Sequence, residues 1–450
     1  MPTQSSPPKL NFRQLLPILV IVLVDVMGLT IISPVLPFYA LAFDASPLTI
    51  GLLISSYPLM QFFFVPILGT LSDRFGRKPV LAIAQVGTFC SLLLLGVANT
   101  LSLVFFSRIV DGITGANLAT VQSAISDSTS PRDRARGLGL IGATFGLGYI
   151  LGPMISGVTL RLTDNNYSAP AFVGAGFALL SVILTTFVFK ETLRPENRGK
   201  TSSHRLDIGG MIEALRSPAL GTLYLLTFMR QLVFGIFIAV FAPFLLTRLG
   251  LNSFGTTLFF GLFGLVTVVV QGGMIGPLTQ RFGERRLVFM GLALFGLGFF
   301  VSSFTPQQPV PWYSSEAMVA ELSQRGEAPS EQLALLPEET QPGVAALTYA
   351  LLALLPLGIG YALLSPSINS LITKRTNSHQ IGRALGLGAA FMSAGTAIGP
   401  SLGGILFNSF GPAAPYLING LVTGLLLLIA FQRLTPEPGD VATELVRSSS

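Results

Sequence analysis

Apolar runs of about 18 or more residues recur along the whole chain, each long enough to cross a bilayer as a helix. Inside hydrocarbon every backbone N–H and C=O must be satisfied within the segment, so such a chain folds as packed helices. The composition agrees: half of the 450 residues are hydrophobic and 11% are charged. A soluble protein of this size carries about twice that charged fraction. Hydropathy predicts twelve helices, at 15–40, 48–71, 79–98, 101–127, 136–161, 168–189, 219–246, 254–279, 286–304, 343–373, 382–408 and 412–431. The expected fold class is an all-α membrane protein with its partner the lipid bilayer, and the high glycine count suits helices that approach closely in lipid.

The net charge of +6 does not point to nucleic acid, because of where the charges lie. Most of the 27 Lys and Arg fall in loops on one side of the predicted spans. Arg161, Arg248 and Arg325 fall on the other side, and Arg108 and Arg230 fall within spans. The basic side is therefore expected to be cytoplasmic, with both termini on it. The polar start, Met1 to Gln14, precedes a first span too long for a cleaved leader, which predicts an uncleaved signal anchor. The single Cys90 excludes a disulfide framework.

The charged stretch from 190 to 218 divides the spans six and six. The expected layout is a first six-helix bundle over 1–189, a linker over 190–218, a second bundle over 219–431 and a tail over 432–450. The halves repeat each other. Gly69, Leu71, Arg74, Phe75 and Gly76 recur 207 positions on, at Gly276, Leu278, Arg281, Phe282 and Gly283. The run Gly148, Gly152, Pro153, Gly157 recurs 247 positions on, at Gly395, Gly399, Pro400, Gly404, and Arg136, Leu138, Gly139 and Leu140 recur with it at Arg383, Leu385, Gly386 and Leu387. The second half thus holds an insertion, placed at 305–343 and acidic through Glu316, Glu321, Glu327, Glu331, Glu338 and Glu339. It reads as a solvated loop on the far side from the basic loops, with a short helix within 316–336 and a lid or docking role as the alternative.

Three stretches carry a family resemblance. Asp25-Val-Met-Gly28 is followed by Pro34 and Pro37 in span one. The loop Gly69-Thr-Leu-Ser-Asp73-Arg74-Phe-Gly76-Arg77-Lys78-Pro79 follows Gln61. Arg108-Ile-Val-Asp111-Gly112-Ile-Thr-Gly115 leads through Arg134 and Arg136 to Gly152-Pro153. On these the chain resembles the twelve-span drug/proton antiporters of the major facilitator superfamily, and among them it is most similar to tetracycline/proton antiporters. The resemblance implies two six-helix bundles with a central cavity between them, alternating access, no enzymatic activity and a proton gradient as driving force in place of a bound cofactor or metal. It also implies a monomer in the cell membrane, taking a small organic molecule and protons as partners.

The resemblance gives Gly69, Asp73, Arg74, Gly76, Arg77 and Lys78 a gating role, in which Asp73, Arg77 and Asp127 at the end of span four form a charge cluster on the basic side that latches the two halves in the outward-facing state. Asp73 is expected at the start of span three, where a helix N-terminus favours an acid. Topology signalling alone is the alternative, although Asp73 and Asp127 add nothing to a positive-inside bias. Gly148, Gly152, Pro153 and Gly157, with Gly395, Gly399, Pro400 and Gly404, read either as an interdomain hinge and seal or as ordinary close helix packing.

Ionisable residues inside spans are costly and default to function. Here they are Asp25, Arg108, Asp111 and Arg230. At 1.5 Å per residue, Asp25, Asp111 and Arg230 each lie roughly 15 Å deep, the middle of a core about 30 Å thick. Burial favours a neutral carboxyl and a neighbouring arginine favours the carboxylate. Asp25 or Asp111 could therefore exchange the coupling proton as an arginine moves. Static pairs, Arg108–Asp111 and Asp25–Arg230, are the alternative. Gln61 and Gln231, with Gln85, Asn117, Gln122, Gln271 and Asn369, are candidate cavity contacts. The antiporters it resembles carry acids in spans three and nine where this chain has Ser91 and Leu294, while Asp111 and Arg230 stand where they are uncharged. A metal–tetracycline chelate fits this pattern less well than a neutral, zwitterionic or anionic solute. His204 and His379 have no metal-ligand company, and no phosphate-binding lysine loop follows a strand. The expected function is proton-driven export of a small organic solute. A proton-coupled nutrient importer or a non-transporting receptor platform are the alternatives.

Overall fold

A computed structural model of the chain describes residues 12–115, 118–129, 134–193, 195–199, 208–218, 220–323, 336–339, 341–377 and 381–434. Among these residues the regular structure is helical throughout. Nine helices are long and apolar enough to cross a membrane, and Leu15–Thr30 is a shorter apolar helix. The expected tail beyond residue 434, the two histidines, Asn117, Arg325, Glu327 and Glu331 lie outside the described residues.

Several spans are not the single helices that hydropathy predicts. Span one is Phe12–Thr30, a turn, and then Leu36–Leu41. Pro34 lies in the turn and Pro37 in the first turn of the second piece, where a missing N–H is harmless. Span four divides into Leu101–Thr114 and Leu118–Asp127 next to Gly115. Span eight opens into a π turn at Val270–Met274, between Ser253–Val269 and Ile275–Phe282. Hydropathy averages over such breaks because the flanking residues stay apolar.

The two repeated loops fold alike. Gly76 (φ 111°) and Gly283 (φ 75°) turn the chain in a region that side chains rarely enter. In each copy the preceding arginine lies over its phenylalanine ring, Arg74 on Phe75 and Arg281 on Phe282, at 5.3 Å. This end of the molecule is the basic face; the opposite end is the insert face.

In the first half, Pro47–Phe75 packs on Leu101–Thr114, and Arg77–Gly96 packs on Ser168–Phe187. In the second, Gly221–Leu249 packs on Ile381–Phe410, and Glu284–Ser303 packs on Ala345–Lys374. Two helix pairs carry most of the contact between the halves, Pro47–Phe75 with Ile381–Phe410, and Arg134–Leu162 with the span that begins at Ser253; Gly221–Leu249 adds lesser contacts to Pro47–Phe75 and Leu36–Leu41. Within the linker, Ile208–Leu215 is helical and packs Met211 and Ala214 against the second half's core.

The insert is folded onto the body. Val310 N–H donates to the Leu249 carbonyl at 2.9 Å, Gln308 N–H donates to Arg248 at 2.9 Å, and Val310 joins the second core. The expected short helix is Ser315–Leu322, and its Met318 and Leu322 are buried among apolar residues of the first half. The reading of a merely solvated loop does not hold for this helix, because its apolar face completes the core.

Candidate functional site

The glycine–proline runs bring the spans together. A methyl group on Gly148 would collide with Val26, and one on Gly152 with Thr30. Thr30 Oγ1 donates to the Gly148 carbonyl at 2.9 Å. Span five therefore lies backbone-close on span one, while Gly157, one turn further on, faces Thr257 of span eight. The second copy does the same. Gly395 and Gly399 lie against the backbone of span seven at Phe228 and Leu232, and Pro400 and Gly404 meet Gly51, Pro47 and Leu48 of span two. Each run thus packs part of its length inside its half and part between the halves.

Those contacts between halves lie toward the insert face. Ser401 N–H donates to Ser55 Oγ at 3.0 Å, and the two hydroxyls are 2.8 Å apart. Glu321 of the insert adds a buried clasp. Its carboxylate accepts from Tyr167 Oη (2.9 Å) and Asn165 Nδ2 (3.0 Å) of the first half. It also accepts from Ser253 N–H (3.2 Å) and Oγ (2.6 Å) at the N-terminus of span eight, where a helix favours negative charge.

The intramembrane charges stand in the middle of this assembly. Arg108 and Asp111 are buried and paired at 3.0 Å, i to i+3, so the static pair expected there is present. Thr88 and Ser91 of span three stand beside the same carboxylate. Tyr57 of span two lies in electrostatic range of Asp111, Asp25, Arg108 and Tyr149. Its hydroxyl accepts from Gln61 Nε2 at 3.1 Å, and Gln61 also donates to the Gly115 carbonyl at 3.1 Å. Gly112 and Gly115 make this possible, since a side chain on either would strike Tyr57. Tyr149 in turn lies in range of Tyr361 of span ten. The Arg230 guanidinium carbon sits 5.0 Å from the Tyr361 ring centre. The expected Asp25–Arg230 pair is not formed among the described residues. Arg230 rests on an aromatic face, and Tyr149 of the first half lies in electrostatic range of that ring.

Sequence reasoning missed Tyr57, Tyr149 and Tyr361. Tyrosines usually sit at membrane interfaces, so three at mid-span depth are the signal that could have found them. Of the candidate polar contacts, Gln231 and Gln85 are buried, Gln271 donates to the Ala362 carbonyl at 3.3 Å, and Gln122 and Asn369 are exposed.

At the basic face, Arg77 pairs with Asp73 through one terminal nitrogen, which also donates to Ser72 Oγ at 2.8 Å, and its Nε donates to Asp127 at 3.1 Å. The expected cluster therefore forms, but inside the first half and not as a latch between the halves, since its charged groups belong to spans two to four and the linker. The place of Asp73 also differs. Asp73 lies in the last turn of Pro47–Phe75 and not at the start of span three. The acid at that N-terminus is Glu191 of the linker, which accepts from the backbone of Arg77 (2.9 Å) and Lys78 (3.2 Å). Hydropathy cannot place an acid brought in from more than a hundred residues away. The second half has its own brace, Lys374 to Glu284 at 2.8 Å, with Ser370 on the same carboxylate at 3.0 Å.

A family model described as Major Facilitator Superfamily matches residues 18–322 and 333–447. The chain belongs to the Major Facilitator Superfamily. It is a membrane transporter built on that fold, not an enzyme. It is 31% identical to the Escherichia coli "Tetracycline resistance protein, class B" over 87% of both chains. It is 24% identical to "Multidrug resistance protein 2" of Bacillus subtilis over 89% of this chain and 90% of that one. The crystal structure of the human organic anion transporter MFSD10 (TETRAN) matches in fold, with a TM-score of 0.66 and 20% identity, over 94% of this chain and all of that one.

Proposed function

We propose that this superfamily member exports small organic solutes in exchange for protons, in the plasma membrane, with its basic face toward the cytoplasm. One observation carries the reading: carboxylates and an arginine from spans one and four converge on Tyr57, and tyrosines continue from there to Arg230 in the other half. Names of relatives that include tetracycline and multidrug resistance proteins support export.

The insert-face contacts close one end of the space between the halves, so this arrangement takes solute from the basic face. Proton exchange then falls to the carboxylates around Tyr57. When Asp111 is protonated, Arg108 loses its counter-charge and is free to move; when Arg108 returns, the carboxylate is favoured again. Asp25, in range of the same tyrosine, supplies a second carboxylate to the exchange. The gating cluster and the interdomain glycines serve the rocking of one half against the other.

The test uses inside-out membrane vesicles, with tetracycline and a panel of cationic, neutral and anionic aromatic dyes. A proton gradient, acid inside, is expected to drive dye uptake by the wild-type protein and not by an Asp25→Asn, Asp111→Asn double variant. Proton-coupled uptake that survives in the double variant overturns the assignment of the carboxylates. Accumulation in the direction opposite to antiport favours the importer reading.

A further inference from the structure

We propose that Arg230 is the docking point for the carboxylate of a flat aromatic solute, held against the rings that surround Tyr361. The proposal rests on the reading that the space between the halves is the transport cavity.

Arg230 is only 4% exposed and lies near the middle of its span. A guanidinium at that depth is expensive to keep, and such residues pair with acids or line a solute path. Among the described residues, the ion pairs join Arg77 to Asp73 and Asp127, Arg108 to Asp111, and Lys374 to Glu284. None reaches Arg230, and its Nε has no hydrogen-bond partner. The Tyr361 ring below it contributes cation–π attraction, but a ring face leaves the guanidinium's in-plane N–H fork unfilled. The adjacent Gln231 is also buried, and its Oε1 has no partner.

The surroundings are aromatic. Tyr361 stacks on Phe234 at 4.1 Å and 22°. Phe263 and Phe295 lie 5.8 and 5.9 Å from the same ring. Tyr149 of the first half lies in electrostatic range of Tyr361 and is 47% exposed. The Tyr361 ring, partly exposed, is therefore on the side of its half that faces the first half, with Arg230 buried behind it.

These features select one kind of ligand. A planar carboxylate matches the guanidinium fork with two parallel hydrogen bonds. A flat ring carrying it could lie between Tyr149 and the Tyr361–Phe234 stack, offset or edge-on as aromatic pairs prefer. An organic cation is repelled here, and a neutral carbonyl can accept from the fork but neither balances its charge nor matches both of its donors. On the other side Arg108 also has unpartnered Nε and Nη2 atoms, but its charge is already balanced by Asp111, whereas no acid balances Arg230 among the described residues.

The experiment measures equilibrium binding to the purified full chain in detergent, with no gradient present. The probes are 1-naphthoate, 2-naphthoate and their primary amides, followed by thermal shift and calorimetry. The acids are expected to bind at least tenfold more tightly than the amides. Arg230→Gln is expected to abolish that preference, Arg230→Lys to keep part of it, and Tyr361→Leu to weaken acid and amide together with the preference retained. Equal binding of acid and amide, no binding by either acid, or an unchanged preference in Arg230→Gln overturns the proposal. Should Arg230→Gln not fold, the acid–amide comparison on the wild type and Tyr361→Leu still decides it. Because no transport is measured, a negative result leaves proton-driven export standing. Conversely, a failed vesicle assay beside a clear acid preference leaves the Arg230 site standing.

Discussion

The two ends of the molecule are held in opposite ways. At the basic face each half is braced to itself: Arg77, Asp73, Asp127 and Glu191 tie spans two, three and four to the linker, and Glu284, Ser370 and Lys374 tie spans nine and ten. At the insert face the halves are braced to each other, through Ser55–Ser401, through glycines set against backbone, and through the Glu321 clasp. A transporter that rocks two rigid bodies needs both kinds of contact. Contacts inside a half keep it rigid, whereas contacts between halves must break in every cycle. The polar insert-face contacts are hydroxyls and one carboxylate, beside close glycine packing and the burial of Met318 and Leu322 against the first half.

The largest effect is expected where the closed end depends on the absence of a side chain. A Cβ at Gly404 would lie 2.5 Å from the Pro47 carbonyl oxygen. Gly404→Val should prevent the insert face from closing and reduce vesicle transport by at least tenfold. At the opposite end a Cβ on Gly276 meets nothing within 4 Å, and Gly276→Ala should transport within about twofold of wild type. Equal effects at the two positions would break the contrast between the ends.

The braces at the basic face should differ in strength from each other. Arg77 and Asp73 are nearly fully buried, so Arg77→Ala leaves acids without their counter-charge, a loss of about 3–5 kcal/mol. The Lys374 side chain is 46% exposed, and Lys374→Ala should cost about 0–1 kcal/mol. Unfolding midpoints in detergent check both. A similar cost for the two would mean that the halves are braced alike.

Most of the fold was legible because the signals were long: twelve apolar runs, and a repeat that located the insertion by spacing alone. The gating loop was legible for the same reason, since its glycines and charges are contiguous. What stayed hidden was brought together from afar. Glu191 reaches the N-terminus of span three from the linker, and Glu321 reaches Tyr167 from the other half. Neither pairing leaves a periodic trace, because a single carboxylate satisfying distant donors follows no local spacing. Arg230 was legible as a buried charge, but the ion pair weighed for it as an alternative is not the contact it makes among the described residues. Opposite charge suggested Asp25, whereas the structure supplied the ring of Tyr361, which a charge inventory does not count.

A smaller effect is expected from the clasp itself. Glu321→Gln keeps the shape but weakens charge-assisted bonds that span both halves, and a change of about 1.4 kcal/mol shifts an open–closed equilibrium roughly tenfold. In a Cys90→Ser background, labelling of Ser55→Cys by a membrane-impermeant maleimide from the insert side should speed up roughly tenfold when Glu321→Gln is added. Unchanged labelling would show that the glycine contacts alone hold this end shut.

The smallest effect concerns the insert helix, whose own cap is separate from the clasp. Glu339 accepts from Ser315 N–H at 2.6 Å, and that bond holds its carboxyl below the ordinary value of 4.5. A lowered value means that the carboxylate form stabilises the folded insert. The contribution is present above pH 4.5, and it is lost as pH falls through the lowered value. Hydrogen exchange over Ser315–Leu322 reads this out against a Glu339→Gln variant. At pH 7 the variant should exchange roughly threefold faster than wild type, and at pH 3 the difference should narrow as the wild-type carboxylate protonates. Exchange that differs equally at both pH values would assign the effect to side-chain shape. A change in Ser55→Cys labelling with it would join the cap to the clasp, so that the insert would act on the closed end as one unit.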